Sequence, residues 1–187
     1  MARTKVSLPD LLTASTRLFR ERGYGGTSMA DLAAATGLTK GAFYHHFPDK
    51  AAVMEAALAA TLAMAERRAF AFARGEAPLP ERIERLAAGT VKLFGEGEGG
   101  CLVANTILDG GPDVERFRPH LLAFVDAWRE ALAALARDAG LPDVDAFAVR
   151  TIADVEGSIV LMRLYGERGY LEAAVARSVA ALTDAPK

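Results

Sequence analysis

Apolar side chains recur along this chain at helical spacing almost from end to end, and no segment alternates in the manner of a half-buried strand, so the pattern predicts an all-α protein. Leu8, Leu11, Leu12, Leu18 and Phe19 fall on one stripe of a first helix. Ser7 with Asp10 three residues on is a capping box, Pro9 sits harmlessly in the first turn, and Gly23 supplies the stop. Ser28 then caps a second helix, with Asp31 at its third position near the positive end of the dipole. About two turns later Gly37 lets the chain reverse, and Thr39 caps a third short helix whose entry Leu38 and Phe43 can staple. Ala33 is small where the two helices must cross, and Leu32, Phe43 and Phe47 join Leu18 and Phe19 in a shared core. Two short capped helices around a glycine turn spell a helix-turn-helix.

Beyond it, a helix of about 26 residues from Asp49 to Arg74 would reach about 39 Å, enough to join two domains. Gly75 to Pro80 break it, and Ile83, Leu86, Ala87, Thr90, Val91 and Phe94 mark the next helix. Gly95 to Gly100 form a polar glycine-rich loop, and Cys101 to Leu108 a short apolar helix. Pro119 is expected to begin or kink a helix carrying Leu121, Phe124, Val125, Trp128, Leu132 and Leu135. The last two helices, Asp143 to Tyr165 and Tyr170 to about Leu182, are apolar on more than one side, and about nine helices result. A second copy of the chain is the natural cover for such helices, which predicts a symmetric four-helix dimer interface. Ile152, Ile159, Val160, Leu164, Leu171, Val175 and Val179 are its candidate residues; burial within one protomer explains the same pattern.

Composition narrows the class. Of 187 residues, 51% are hydrophobic and 25% charged, the proportions of an ordinary globular chain. One cysteine, Cys101, excludes an intramolecular disulfide and a four-thiolate metal site. There is no apolar signal region after Arg3 and Lys5, and the longest uncharged helical run, Ala56 to Ala65, is about half of a membrane span, so a soluble cytoplasmic protein without a membrane partner is expected. The net charge of −2 hides a split: residues 1–50 hold seven basic and four acidic side chains, net +3, and the remainder 15 and 20, net −5. That asymmetry suits a nucleic-acid-facing segment joined to one with other work.

The third helix carries the chemistry. With Phe43 and Phe47 turned inward, Lys40 and Tyr44 share an outer face with Gly41, Ala42 and His45. Gly41 and Ala42 allow close approach to a major groove, Lys40 can reach guanine acceptors or phosphate, and Ala42 can touch a thymine methyl. Tyr44, His45, Thr27 and Lys50 are placed for phosphates of double-stranded DNA. The same hairpin with a merely solvated face would suit a helical protein that binds only other proteins, but that leaves the Lys40, Gly41, Tyr44 face without a purpose. No catalytic residue, metal site or cofactor is read: Cys101 and His120 are linked by no motif, and adjacent His45 and His46 point about 100° apart on a helix.

Residues 23–50, Gly-Tyr-Gly-Gly-Thr-Ser-Met-Ala-Asp-Leu-Ala-Ala-Ala-Thr-Gly-Leu-Thr-Lys-Gly-Ala-Phe-Tyr-His-His-Phe-Pro-Asp-Lys, resemble the DNA-binding signature of the TetR-type (TetR/AcrR) transcriptional regulators. Carried over by position, the resemblance implies DNA contacts from Thr27, Ser28, Thr39, Lys40, Gly41, Tyr44, His45 and Lys50; Ala42 stands where many members carry Thr. It further implies a DNA-binding domain over residues 1–50 and a helical ligand-binding and dimerisation domain over 51–187. A homodimer would repress from a palindromic operator until a small-molecule effector releases it. Phe94, Cys101, Leu102, Asn105, Phe124, Trp128, Phe147 and Thr151 are candidates for that effector's pocket, which rests on the resemblance because aromatic residues at helical spacing are more often plain core. Gly100-Cys101-Leu102 also resembles a branch of the family in which a Gly-Cys pair opens the sixth helix and some members sense electrophiles or oxidants; a buried structural cysteine is the alternative.

Overall fold

Every helix whose cap can be read from the sequence starts at that cap in the computed structural model, which describes residues 6–96 and 99–184. Arg3 and Lys5 of the basic segment, and Gly97 and Glu98 of the glycine-rich loop, lie outside the described residues. Among those described there are nine α-helices and no strand. They are α1 (Leu8–Arg22), α2 (Met29–Ala35), α3 (Lys40–Tyr44), α4 (Lys50–Ala65), α5 (Leu79–Gly95), α6 (Leu102–Asp109), α7 (Val114–Asp138), α8 (Val144–Tyr165) and α9 (Gly169–Thr183). The chain forms two compact units. One takes in the sequence up to Thr61 together with Cys101–Leu121, the other Leu62–Gly100 and everything from Leu122 onward. Residue 50, where the sequence reading divides the chain, is the first residue of α4; the unit holding the helix-turn-helix runs on to Thr61 and also contains α6 and the first turns of α7.

In the first unit, Ser7 Oγ accepts from the Asp10 N–H while the Asp10 carboxylate accepts from the Ser7 N–H. Leu11, Leu18 and Phe19 of α1, Leu32 and Ala33 of α2 and Phe43 of α3 are buried and build the core. Leu8 does not belong to it: as the first helical residue it is 51% exposed.

In the second unit α4 continues without a break through a π-helical turn, Glu66–Phe70, and a last α turn, Ala71–Ala73. The long helix was legible in the sequence; its π turn was not. Arg82, itself buried, closes its end by donating from Nη1 to the Ala73 carbonyl at 3.2 Å and from Nη2 to Asp138 at 2.6 Å. Gly89 of α5 lies so near the π turn that a Cβ there would stand 2.5 Å from the Ala69 Cβ. Gly89→Ala should gain about 1 kcal/mol in helix propensity and lose about 1–3 kcal/mol to overpacking. The expected net result is a lower melting temperature in a thermal scan, restored when Ala69→Gly is added.

α7 starts five residues before Pro119, after a 3-10 turn over Gly111–Asp113, so the proline lies inside the helix and does not begin it. Its missing N–H leaves the Glu115 carbonyl without the usual donor, which is tolerable because both residues are exposed to water. α8 ends at Gly166, whose φ of 72° turns the chain back into α9, and α9 packs on both α8 and α5. Of the candidate dimer residues, that packing buries Ile159, Leu171 and Val175 within the protomer and half-buries Ile152 and Val179, leaving Val160 and Leu164 exposed.

Candidate nucleic-acid interface

The surface of α3 is organised by what α3 buries. Phe43 and Phe47, four residues apart, place their rings 5.6 Å apart in the core, with exposures of 0% and 7%. Lys40, Gly41, Tyr44 and His45 are thereby left exposed on the opposite side, with Ala42 half-buried between them. A Cβ built on Gly41 meets nothing within 4 Å, so this face is open to an approaching duplex. The Lys40 ammonium stands 5.9 Å from the Tyr44 ring centroid, a one-turn cation–π contact that keeps the two side chains together. Thr39 is exposed and caps the helix, its hydroxyl accepting from the Ala42 N–H at 3.3 Å.

α2 is fixed the same way. Ser28 Oγ accepts from the Asp31 N–H at 3.2 Å, and the Asp31 carboxylate accepts from the Ser28 N–H at 2.9 Å. Those bonds from Ser28, helped by Arg22, hold the Asp31 carboxyl below the usual carboxylate range. A depressed folded-state pKa stabilises the fold above the unfolded value, and the contribution is lost as pH falls through the folded one.

Two of the expected DNA contacts are otherwise engaged. Thr27 is 2% exposed and its hydroxyl donates to the Gly23 carbonyl at 2.7 Å, so the structure uses it to close the turn between α1 and α2 and does not present it on the surface. Lys50 is half-buried; its ammonium donates to the Tyr24 carbonyl at 2.7 Å and lies 4.1 Å from the Tyr24 ring centroid. Ser28 remains exposed but its hydroxyl is bonded to Asp31.

Sequence reading missed the residues that steady this face from far along the chain. Asp109 accepts from the Gly25 N–H at 2.9 Å, the Tyr24 hydroxyl donates to Asp113 at 2.6 Å, and Asn105 Nδ2 donates to the Arg20 carbonyl at 3.3 Å. Arg116 spans Asp49, the residue before α4, and Glu55 within it. The Ala52 N–H and Arg116 hold the Asp49 carboxyl low, in a cap at the start of α4. The one local signal for this group was the spacing of Asp109 and Asp113, four residues apart beside the glycines that end α6.

The expected effector-pocket residues divide between the two units. Phe94, Phe124 and Trp128 belong to the second unit, where Trp128 lies 5.1 Å from Phe94, stacks on Phe70 at 6.3 Å and meets Phe124 edge-on. Trp128 and Thr151 border an internal cavity of ≈ 20 Å³, room for about one water molecule. Phe147 and Thr151 line a more open recess with Arg150, Asp154 and Arg177. Cys101, Leu102 and Asn105 belong to the first unit. Cys101 is buried and its Sγ accepts from the Ala104 N–H at 3.5 Å, which makes it the cap of α6.

On the outer side of α8 and α9, Ala153, Gly157, Leu161 and Ala173 line an open groove edged by the Asp154–Arg177 ion pair at 2.7 Å. Val149, Val160, Leu164 and Tyr165 extend this apolar face along α8. Among the described residues no group of three His, Cys, Asp or Glu side chains could hold a metal, and no helix is long and apolar enough to cross a membrane.

Residues 11–57 match the family of bacterial regulatory proteins called tetR, and residues 80–177 match the tetracyclin repressor-like C-terminal domain. The chain is 30% identical over 129 residues to the HTH-type transcriptional repressor DhaR of Mycobacterium sp. (strain GP1), a match covering 68% of this chain and 64% of that one, thus less than two thirds of the relative. A TetR transcriptional regulator from Chloroflexus aurantiacus superimposes with a TM-score of 0.78 at 27% identity, over 94% of this chain and 93% of the other. The regulator CifR, solved as a cysteine mutant complexed with 26-bp double-strand operator DNA, gives a TM-score of 0.71 at 26% identity, over 97% and 99% of the two chains.

Proposed function

The chain belongs to the TetR family of bacterial regulatory proteins, and from that premise we propose that it is a transcriptional repressor that binds a palindromic operator as a homodimer and leaves it when a small-molecule effector binds. The observation that carries the reading is the open face of α3: Lys40, Gly41, Tyr44 and His45 exposed over a fully buried Phe43, on a helix capped by Thr39. In this reading Lys40 and Ala42 meet base edges, while Tyr44, His45, Thr39, Ser28 and Lys50 meet the backbone. Residues 1–50 read DNA, and 51–187 bind the effector and a second copy.

Matched half-sites lie about 34–36 Å apart or a multiple of that, so a shift of a few ångströms between two recognition helices forfeits simultaneous contact. The effector would act through α4, an unbroken helix whose π turn brings Phe70 to the aromatic cluster around Trp128. The cavity beside Trp128 is the seed of the pocket and would have to widen to admit an effector. Gly100-Cys101 at the start of α6 supports a place in the Gly-Cys branch. The burial of Cys101 and its cap to Ala104 support a structural role there over thiol sensing.

The test is selection of bound duplexes from a random-sequence pool, followed by shift assays at two salt concentrations and a screen of small molecules for release. Binding should weaken steeply with salt. Lys40→Ala should cost about 1–3 kcal/mol of operator affinity and relax the sequence preference, and Tyr44→Ala should weaken binding about uniformly across sequences with the salt slope nearly unchanged, because a phenol neutralises no phosphate charge. Enrichment of no duplex, or wild-type binding by both variants, would sink the reading.

A further inference from the structure

Tyr24, buried in the turn between α1 and α2, joins two places that the reading above keeps apart. Its hydroxyl donates to Asp113 at 2.6 Å, and its ring meets Phe117 edge-on with centroids 5.0 Å apart; both partners lie where α7 begins. Burial and the Asp113 carboxylate push the phenol pKa up, so the hydroxyl stays a donor throughout the neutral range. Its carbonyl accepts from the Lys50 ammonium at 2.7 Å, and that ammonium also lies 4.1 Å from the ring centroid.

The two carboxylates next to Lys50 along α4, Asp49 just before it and Glu55 one turn on, are themselves paired. Arg116 reaches Asp49 at 3.4 Å and Glu55 at 2.8 Å, and Asp49 also caps α4 by accepting from the Ala52 N–H. The turn itself is held from its other side by Asp109 on the Gly25 N–H, an approach that requires glycine at position 23, where a Cβ would run into the carboxylate. An ammonium has three N–H donors, and the Tyr24 carbonyl uses one.

We propose that Tyr24 is a positioning residue for DNA binding: its carbonyl and ring hold the Lys50 ammonium at one fixed point for an operator phosphate, and its contacts with Asp113 and Phe117 make that point depend on the 3-10 turn that leads into α7 and on the first turn of α7 itself. The inference rests on the reading of the chain as a DNA-binding regulator. A lysine on a free four-carbon stem gives up much rotamer entropy when it grips a phosphate, and one already seated gives up less. A displacement of the start of α7 would break the hydroxyl bond and the ring contact together and unseat Lys50, weakening the grip on DNA without any change in α3.

The experiment is a salt series of operator binding by fluorescence anisotropy, using a duplex recovered from the random pool, for Lys50→Ala, Tyr24→Leu, Tyr24→Phe and their combinations. Lys50→Ala should lower the salt slope by about one for each protomer bound. Tyr24→Leu should lower it as far, and Lys50→Ala added to it should cost nothing more. Tyr24→Phe keeps the ring and the core, so it tests the hydroxyl even if Tyr24→Leu folds poorly. It should weaken binding about two- to tenfold, the worth of one hydrogen bond, and that loss should vanish in the Lys50→Ala background. A merely structural tyrosine would give additive losses and an unchanged slope, and either result overturns the proposal. If Lys40→Ala weakens binding while the Tyr24–Lys50 cycle is additive, this inference alone fails; if the wild-type protein binds no duplex, it falls together with the regulator reading.

Discussion

Val160→Glu is expected to leave the protomer folded and to lower affinity for a two-half-site operator by about two to four orders of magnitude. Val160 is 65% exposed and Leu164, one turn on, 72% exposed, so neither holds the protomer's own core together. Both extend the apolar face whose middle is a shallow groove over small residues, Ala153, Gly157 and Ala173, where another helix can approach closely. A carboxylate there costs little in a free protomer and a great deal when a second copy covers it, because an unpaired buried charge is strongly disfavoured. Without the dimer, each recognition helix must bind its half-site alone, and the gain from making the second contact intramolecular disappears. Sedimentation should report a monomer, and affinity for an isolated half-site should be nearly unchanged. Ile159→Glu is the contrasting variant: at 3% exposure it lies in the protomer core and should unfold the chain. A Val160→Glu protein that still sediments as a dimer and binds the full operator normally would remove α8 from the interface.

The mixed fate of that interface marks how far periodicity reaches. A helix that is apolar on several sides must be covered, but its spacing does not say which stripe a neighbour of the same chain covers and which is left for a second copy. In α8 the stripe through Val155 and Ile159 went inward, and the one through Val160 and Leu164 stayed outside. Capping, by contrast, is local chemistry. Ser7, Ser28 and Thr39 each accept from a backbone N–H three residues on, so the starts of α1, α2 and α3 could be read directly, and with them the exposed face of α3. Thr27 sits on the same short stretch, yet its burial could not be read there, because its hydroxyl has a carbonyl partner four residues back that composition cannot distinguish from solvent or phosphate. The acidic and basic groups that steady the turn, Asp109, Asp113 and Arg116, meet partners more than 60 residues away, as the 84 between Gly25 and Asp109 illustrate. Nothing in a local pattern encodes such pairings. The π turn of α4 was hidden for a related reason: its residues are good helix formers, and only the close approach of Gly89 to Ala69 reveals what packs there.

Phe43→Ala should abolish operator binding while leaving the second unit folded. α3 has five residues, far short of the roughly 12–15 that even a favourable isolated helix needs in water, so its existence depends on its cap and on what it buries. The Thr39 cap is one hydrogen bond at 3.3 Å. Phe43 is the larger contribution: it is fully buried and packs on Phe47, and replacing such a side chain by alanine costs about 3–5 kcal/mol. Whole-domain stability is about 5–15 kcal/mol, and a loss of that size concentrated on five residues exceeds anything their own backbone bonds can offset. Hydrogen exchange should therefore report the His46 and Phe47 amides, which bond to the Phe43 carbonyl, opening first. Trp128→Ala, of similar cost but set in the second unit's aromatic cluster, should lower the melting temperature without that local exchange. Retention of wild-type operator affinity by Phe43→Ala would mean that the face of α3 does not need its helix, and the recognition geometry built on Lys40 and Tyr44 could not stand.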